Sequence, residues 1–222
     1  YAVEPERNIA LARNRAIEVG PAGRVAFIDD DERADRYWLR ALWEAMDAGK
    51  ADGSFGRVDA VLPPDAPAWV RRGKFLDKSA GPEGIDLGWE RTRTSSALVA
   101  GSWFYEFGYR FDPRFGRSGG EDTDLFRRVA AAGGRFRAAP TSAVRETAHL
   151  EQCHLRGILR RAFRGGANYE RLVAAESHAA APLGRFLKRT AVAVPMVFCA
   201  LPSACRGRAE HLCGALQSLA LA

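Results

Sequence analysis

The 222-residue sequence predicts an α/β fold, with strands and helices alternating over residues 1–150 and a helical tail after them. Three observations carry that expectation. Short apolar runs of strand length, such as Val25-Ala26-Phe27-Ile28, alternate with stretches of helical period such as Trp38, Leu39, Leu42, Trp43 and Met46. Clusters of Gly and Pro, among them Gly20-Pro21-Ala22-Gly23 and Pro63-Pro64, fall between these runs, where they interrupt regular structure. Beyond residue 150 the strand signals cease, and a basic stretch gives way to an apolar one.

Taken in order, residues 8–18 read as a helix and residues 24–28 as a buried parallel strand. Residues 34–48 read as an amphipathic helix with Trp38, Leu39, Leu42, Trp43 and Met46 facing inward. A strand is expected at 57–62, stopped by Pro63-Pro64-Asp65-Ala66-Pro67, and a short helix at 68–74. Residues 75–93 form a long connection containing Gly81, Gly84 and Gly88. A loop of that length is uncommon in a compact domain unless it is functional, and it is expected to cover a ligand site and order on binding. Residues 94–100 read as a strand, 102–107 as a short helix, and 120–132 as a helix capped by Gly133-Gly134. Strands at 135–138 and 143–147 complete the sheet. Residues 151–175 read as one long basic helix with a bend at Gly165-Gly166, and no internal repeat appears.

Chemistry concentrates in two acidic motifs. The first is the run Val25-Ala26-Phe27-Ile28-Asp29-Asp30-Asp31-Glu32. Open α/β sheets place ligands at the carboxyl ends of their strands, and three adjacent carboxylates there repel one another. A hard divalent cation with oxygen ligands, Mg²⁺ or Mn²⁺, relieves that repulsion and carries substrate phosphates. An Asp-rich turn is the equally good plain reading of the run in isolation. The second motif is Gly119-Gly120-Glu121-Asp122-Thr123-Asp124, followed by the buried stripe Leu125, Phe126 and Val129. Carboxylates in the first turn stabilise a helix start, and by itself the motif says no more than that. Its functional reading is a carboxylate held ionised beside a glycine hinge and acting as a general base.

Together the motifs resemble the nucleotide-diphospho-sugar glycosyltransferases of family 2, over residues 3 to about 165. Arg13-Asn14 resembles the family's "ARN" helix, Phe27 to Glu32 its DXD-type motif, and Trp38-Leu39 its following helix. Thr94-Ser95-Ser96-Ala97-Leu98 is similar to its "T-x-N-x-L" strand, Gly119-Gly120-Glu121-Asp122 to its "GGED" helix start, and residues 156–165 to its terminal basic helix. The resemblance implies the GT-A fold, a Rossmann-like mixed sheet flanked by helices. It implies metal binding by Asp31 and Asp29, and donor binding by Arg13, Asn14, Asp29 and Asp30. It places Thr94, Ser96, Gly119 and Gly120 on the acceptor side, and makes Asp122 the base with Glu121 orienting it or touching the acceptor. Arg161 and Arg164 join the donor-binding set because a departing diphosphate needs cationic partners and guanidinium forks match phosphate oxygens. The sequence departs from the family in two ways. Ser96 stands where many relatives have Asn, and residues 1–6 lead into the Arg13-Asn14 helix without the family's opening strands. The expectation is therefore a catalytic domain at 1–150 that is amino-terminally incomplete, followed by a basic helix and hydrophobic tail at 151–222.

Composition fits this reading. The hydrophobic fraction of 47% and charged fraction of 27% are ordinary for a globular protein. The net charge of +6 suits a phosphate-bearing substrate or an anionic membrane surface. No helix-turn-helix, zinc-finger or aromatic-basic RNA-binding pattern is present, so nucleic acid is not an expected partner. Cys153, Cys199, Cys205 and Cys213 lack C-x-x-C spacing, which argues against zinc and for reduced thiols in a cytoplasmic setting. Two uncharged runs, 190–205 and 212–222, are short for spanning helices and are expected to form a re-entrant or interfacial hairpin on the cytoplasmic face of the membrane. The expected activity is inverting, metal-dependent transfer from a UDP- or GDP-sugar to a saccharide or lipid-linked acceptor. Two alternatives stay open: a nucleotidyltransferase, or an inactive membrane-associated remnant of a glycosyltransferase.

Overall fold

A computed structural model describes residues 2–176. The first elements are α1 (Ile9–Val19), β1 (Arg24–Phe27), β2 (Glu32–Ala34), α2 (Trp38–Ala48), β3 (Gly53–Val61) and α3 (Ala68–Gly73). They are followed by β4 (Asp86–Leu87), β5 (Ala97–Ala100), α4 (Ser102–Tyr105), α5 (Glu121–Ala131), β6 (Phe136–Thr147) and α6 (Leu155–Glu176). The described chain divides into two compact units, residues 2–59 with 77–146, and residues 60–76 with the described residues from 147 onward.

The first unit is built on a sheet of order β1-β5-β3-β6-β2, with β4 also paired to β6. β5 runs antiparallel to both β1 and β3, and β6 runs antiparallel to β2 and β4. The amides of Asp52 and Gly53 donate to the Arg135 carbonyl at one end, and further along both strands Arg57 Nη1 donates to the Pro140 carbonyl. The two central strands β3 and β6 therefore run in the same direction, and the sheet is mixed. Aromatic rings make the core. Phe55, Phe126 and Phe136 form a mutual edge-to-face triangle with centroids 5.0, 5.5 and 5.6 Å apart. Phe27 packs edge-on against Phe104 and Phe111, which ties β1 to α4 and to the chain leading into α5. On another side, Leu42 and Met46 of α2 are buried with Leu98 and Ala139.

Several expectations are corrected. Leu39 and Trp43 are exposed on α2, so its buried stripe narrows to Ala41, Leu42 and Met46, with Trp38 partly buried. The Trp43 ring has a partner outside the core: the Arg24 guanidinium stacks 3.6 Å from its centroid. β2 was not expected, because three polar-flanked residues carry no periodicity; its pairing with β6 makes it a strand. The two strands expected at 135–138 and 143–147 are one strand that runs through Pro140, whose carbonyl accepts from Arg57 Nη1. The 75–93 connection holds a Val58–Lys78 bridge, β4 and a 3-10 turn at Trp89–Arg91.

The second unit buries Ala66, Val70 and Leu76 against Ala148, Cys153 and Ile158. α6 is helical without interruption through Gly165-Gly166. The apolar runs 190–205 and 212–222 lie outside the described residues. Among the described residues no helix is long and apolar enough to cross a membrane.

Candidate functional site

The site grows from the carboxyl end of β1. There the chain reverses in a tight turn: the Glu32 amide donates to the Asp29 carbonyl at 3.1 Å, and the Asp29 amide donates to the Glu32 carboxylate at 3.0 Å. Glu32 is thereby drawn inward and becomes the first residue of β2, opposite Glu146 of β6. The Ser95 hydroxyl donates to its other oxygen. Burial nevertheless pushes the Glu32 carboxyl above the usual range, against the lowering effect of those two hydrogen bonds. Asp30 and Asp31 are left exposed on the outside of the same turn.

α1 supplies the next layer. Asn8 caps it by accepting from the Ala10 and Leu11 amides while its Nδ2 donates to the Pro113 carbonyl. Asn14 makes a reciprocal pair with the Phe111 backbone, donating to its carbonyl at 2.8 Å and accepting from its amide at 2.9 Å. α1 is thus fastened to the chain that leads into α5. Between these anchors Arg13 reaches both acidic motifs: Nη2 lies 3.1 Å from Asp29 Oδ1, and Nη1 pairs with Glu121 Oε1.

Gly119 and Gly120 carry φ values of 84° and 97°, a left-handed region that strains any residue with a Cβ. The pair swings the backbone so that α5 begins at Glu121. Glu121 is buried, one oxygen on Arg13 and the other, Oε2, without a hydrogen-bond partner. Its carboxyl is raised by burial first and by the Asp122 charge second, with Arg13 pulling the other way. Asp122 is half-buried, and its Oδ1 accepts from the Thr123 amide at 2.7 Å. Asp124 is buried and structural, paired with Arg127 at 3.3 Å and Arg128 at 2.9 Å.

A second set of residues, absent from the sequence reading, completes the site. Arg93 Nη2 donates to the carbonyls of Gly56, Lys78 and Ser79 at 2.6, 3.2 and 3.3 Å. Its Nε is buried without a partner. Burial lowers this guanidinium to about 10, and the charges of Glu32, Asp122 and Glu146 oppose that shift. The buried cation thus feels the negative charge of both acidic motifs and of β6, while its hydrogen bonds go to backbone carbonyls. Lys78 Nζ lies 2.6 Å from Glu146 and 3.4 Å from Ser95 Oγ. The only sequence signal for Arg93 was its position directly before Thr94-Ser95-Ser96; Lys78 sits in the aperiodic 75–93 stretch and had none.

The predicted site residues thus separate. Arg13, Asp29 and Glu121 are joined directly, while Asp30, Asp31 and Asp122 offer carboxylate to the surroundings of the same turn and helix start. Asn14 has both amide groups engaged with Phe111, which makes it an anchor of the fold. Thr94 and Ser96 are buried, and Ser96 Oγ accepts from Trp38 Nε1 at 3.0 Å. Ser96 adopts φ 54°, a conformation Asn takes more readily than Ser. Arg161 and Arg164 belong to α6 in the second unit.

Among the described residues no three Asp, Glu, His or Cys side chains converge on a common cation position. Asp29 Oδ1 is committed to Arg13, and Asp31 is exposed. Such a donor set fits an ion held by one or two carboxylates and completed by substrate phosphates, the habit of Mg²⁺, and does not fit an all-protein cage.

No protein-family model matches the chain. It is 35% identical over 181 residues to the succinoglycan biosynthesis protein ExoM of Rhizobium meliloti (strain 1021), a match that covers 80% of this chain and 57% of ExoM. The chain thus spans little more than half the length of that relative. Among solved structures it is similar to residues 1–349 of S. aureus TarS in complex with UDP, with a TM-score of 0.46 and 14% identity over 95% of this chain and 70% of that one.

Proposed function

We propose that this chain is a glycosyltransferase of family 2 and takes part in the transfer of a sugar from a nucleotide-diphosphate donor to a hydroxyl of a saccharide or lipid-linked acceptor, in the assembly of a polysaccharide. The observation that supports this best is the Arg13 bridge, which joins Asp29 of the turn after β1 to Glu121 at the start of α5, 108 residues from Arg13. A donor-side and an acceptor-side carboxylate motif then share one site. The relative's part in succinoglycan biosynthesis agrees with a polysaccharide product.

In this reading Asp122 accepts the proton of the acceptor hydroxyl as that oxygen attacks the anomeric carbon. The new C–O bond forms as the bond to the nucleoside diphosphate breaks on the opposite face, so the anomeric configuration inverts. Arg13 holds Asp29 and Glu121 in register, and the Gly119-Gly120 turn sets the height at which Asp122 meets the acceptor. Asp31 would hold Mg²⁺ or Mn²⁺, with Asp29 its neighbour in the turn; when bound, the ion neutralises charge on the departing diphosphate.

Calorimetric titration with UDP and with GDP, each with and without Mn²⁺, tests the reading. Metal-dependent binding is expected, and Asp31→Ala should abolish it without changing thermal stability. Binding that ignores both metal and Asp31 would remove the donor-site assignment. Release of pyrophosphate, in place of a nucleoside diphosphate, would transfer the chain to the nucleotidyltransferase alternative.

A further inference from the structure

α6 presents a face that the proposed transfer does not use. Ile158 and Leu172 are buried, and Ile158 packs with Ala66, Val70 and Leu76 of its own unit. Leu155, Leu159 and Phe163 stand one turn apart and are 56%, 45% and 75% exposed. At 100° per residue these three side chains form a single ridge. Arg156, Arg160 and Arg164 follow each of them by one residue and form a parallel exposed row along the same edge. No Asp or Glu occurs between Glu151 and Glu170, so the row has no carboxylate of its own helix within that span. Scattered exposed apolar residues are ordinary, but three aligned over consecutive turns form a continuous patch.

We infer that this face of α6 docks onto an anionic lipid bilayer, the ridge entering the headgroup–acyl boundary and the arginine row meeting lipid phosphates. The charge selects the occupant. A second copy of this chain would bring the same cationic row against its equivalent, and nucleic acid would leave the Leu155–Leu159–Phe163 ridge in water. A bilayer satisfies both halves, since a helix with one apolar edge and an adjoining arginine edge lies in the interfacial plane. The inference rests on α6 alone and stands or falls independently of the glycosyl-transfer reading.

Sedimentation of the full chain with phosphatidylcholine vesicles, with and without phosphatidylglycerol, tests it. The chain should partition onto the anionic vesicles in preference to the neutral ones, and added salt should weaken that partition. Each arginine near an anionic surface contributes about fivefold, so the triple variant Arg156→Gln/Arg160→Gln/Arg164→Gln should lose roughly a hundredfold. Leu159→Ser/Phe163→Ser should lose at least about tenfold on the same vesicles. All five positions are exposed, and unchanged circular dichroism and thermal unfolding would certify the fold of both variants. Equal partition onto neutral and anionic vesicles, or variants that sediment like the parent, would overturn the inference and assign membrane binding to another segment. Displacement of the anionic vesicles by an RNA homopolymer would overturn it in favour of nucleic acid.

Discussion

The turn after β1 and the start of α5 are both short acidic clusters, yet they divide their carboxylates in different ways. In the turn, Asp29 and Glu32 are drawn inward by each other's backbone, by Arg13 and by Ser95, while Asp30 and Asp31 stay in solvent. At the helix start the outer carboxylate is Asp122, and it lies between two buried ones, Glu121 on Arg13 and Asp124 on Arg127 and Arg128. The turn sorts its residues by reversing the chain; the helix sorts them by its 100° step. Each cluster thereby ties some carboxylates into the fold and leaves others at least partly exposed, and adjacency in sequence does not reveal which is which.

The comparison predicts effects of different kinds. The largest should come from Asp122→Asn. With the proposed general base removed, turnover should fall by roughly 10²–10⁴-fold while stability stays near that of the parent, measured as nucleoside diphosphate release beside a thermal melt. Near-normal turnover would strip the helix start of its chemical role.

Arg13→Ala should come next, and should strike stability. It leaves Glu121 buried without its cation, at a cost of about 3–5 kcal/mol in urea unfolding. Arg13→Lys retains the charge but cannot reach Asp29 and Glu121 with a planar fork, so it should recover only part of the loss. Full recovery by Lys would show that charge alone, and not the bridge, matters.

A smaller effect with a distinctive pH dependence is expected from Glu32→Gln. The Glu32 carboxyl is raised in the folded protein by burial, so its protonated form favours the fold. The stability tied to that proton is complete below the unfolded value and is lost as pH rises through the folded value. At neutral pH Glu32→Gln should therefore match or exceed the parent in stability, and the difference should shrink on acidification. Denaturant midpoints measured across that pH range will show the trend, and a difference that grows on acidification would refute the buried-carboxyl account. Asp30→Ala should do least, within about 0.5 kcal/mol of the parent, because Asp30 is exposed.

Much of this was legible in the residues themselves. The Gly119-Gly120 pair, the caps and the apolar stripe Leu125, Phe126 and Val129 are local devices, and local devices act wherever the chain goes. α1, α3 and α5 accordingly appear within a residue or so of expectation. The two acidic motifs were visible for the same reason. What could not be read was how tertiary pairing divides their work. Trp43 leaves the core because Arg24, 19 residues earlier, comes to lie over its ring. Glu32 becomes a strand residue because β6 lies beside it. Ser96 tolerates a left-handed backbone in a site where Trp38 bonds its hydroxyl. Arg93 and Lys78 enter the site from a stretch with no periodicity, held there by backbone carbonyls and by Glu146.

The sequence by itself determined which residue types are available for binding phosphate and accepting a proton, and where helices and strands start. Only the tertiary structure decided which carboxylates are buried and which remain free to act. Burial and ion pairing depend on contacts between residues far apart in the chain, and no local pattern encodes them.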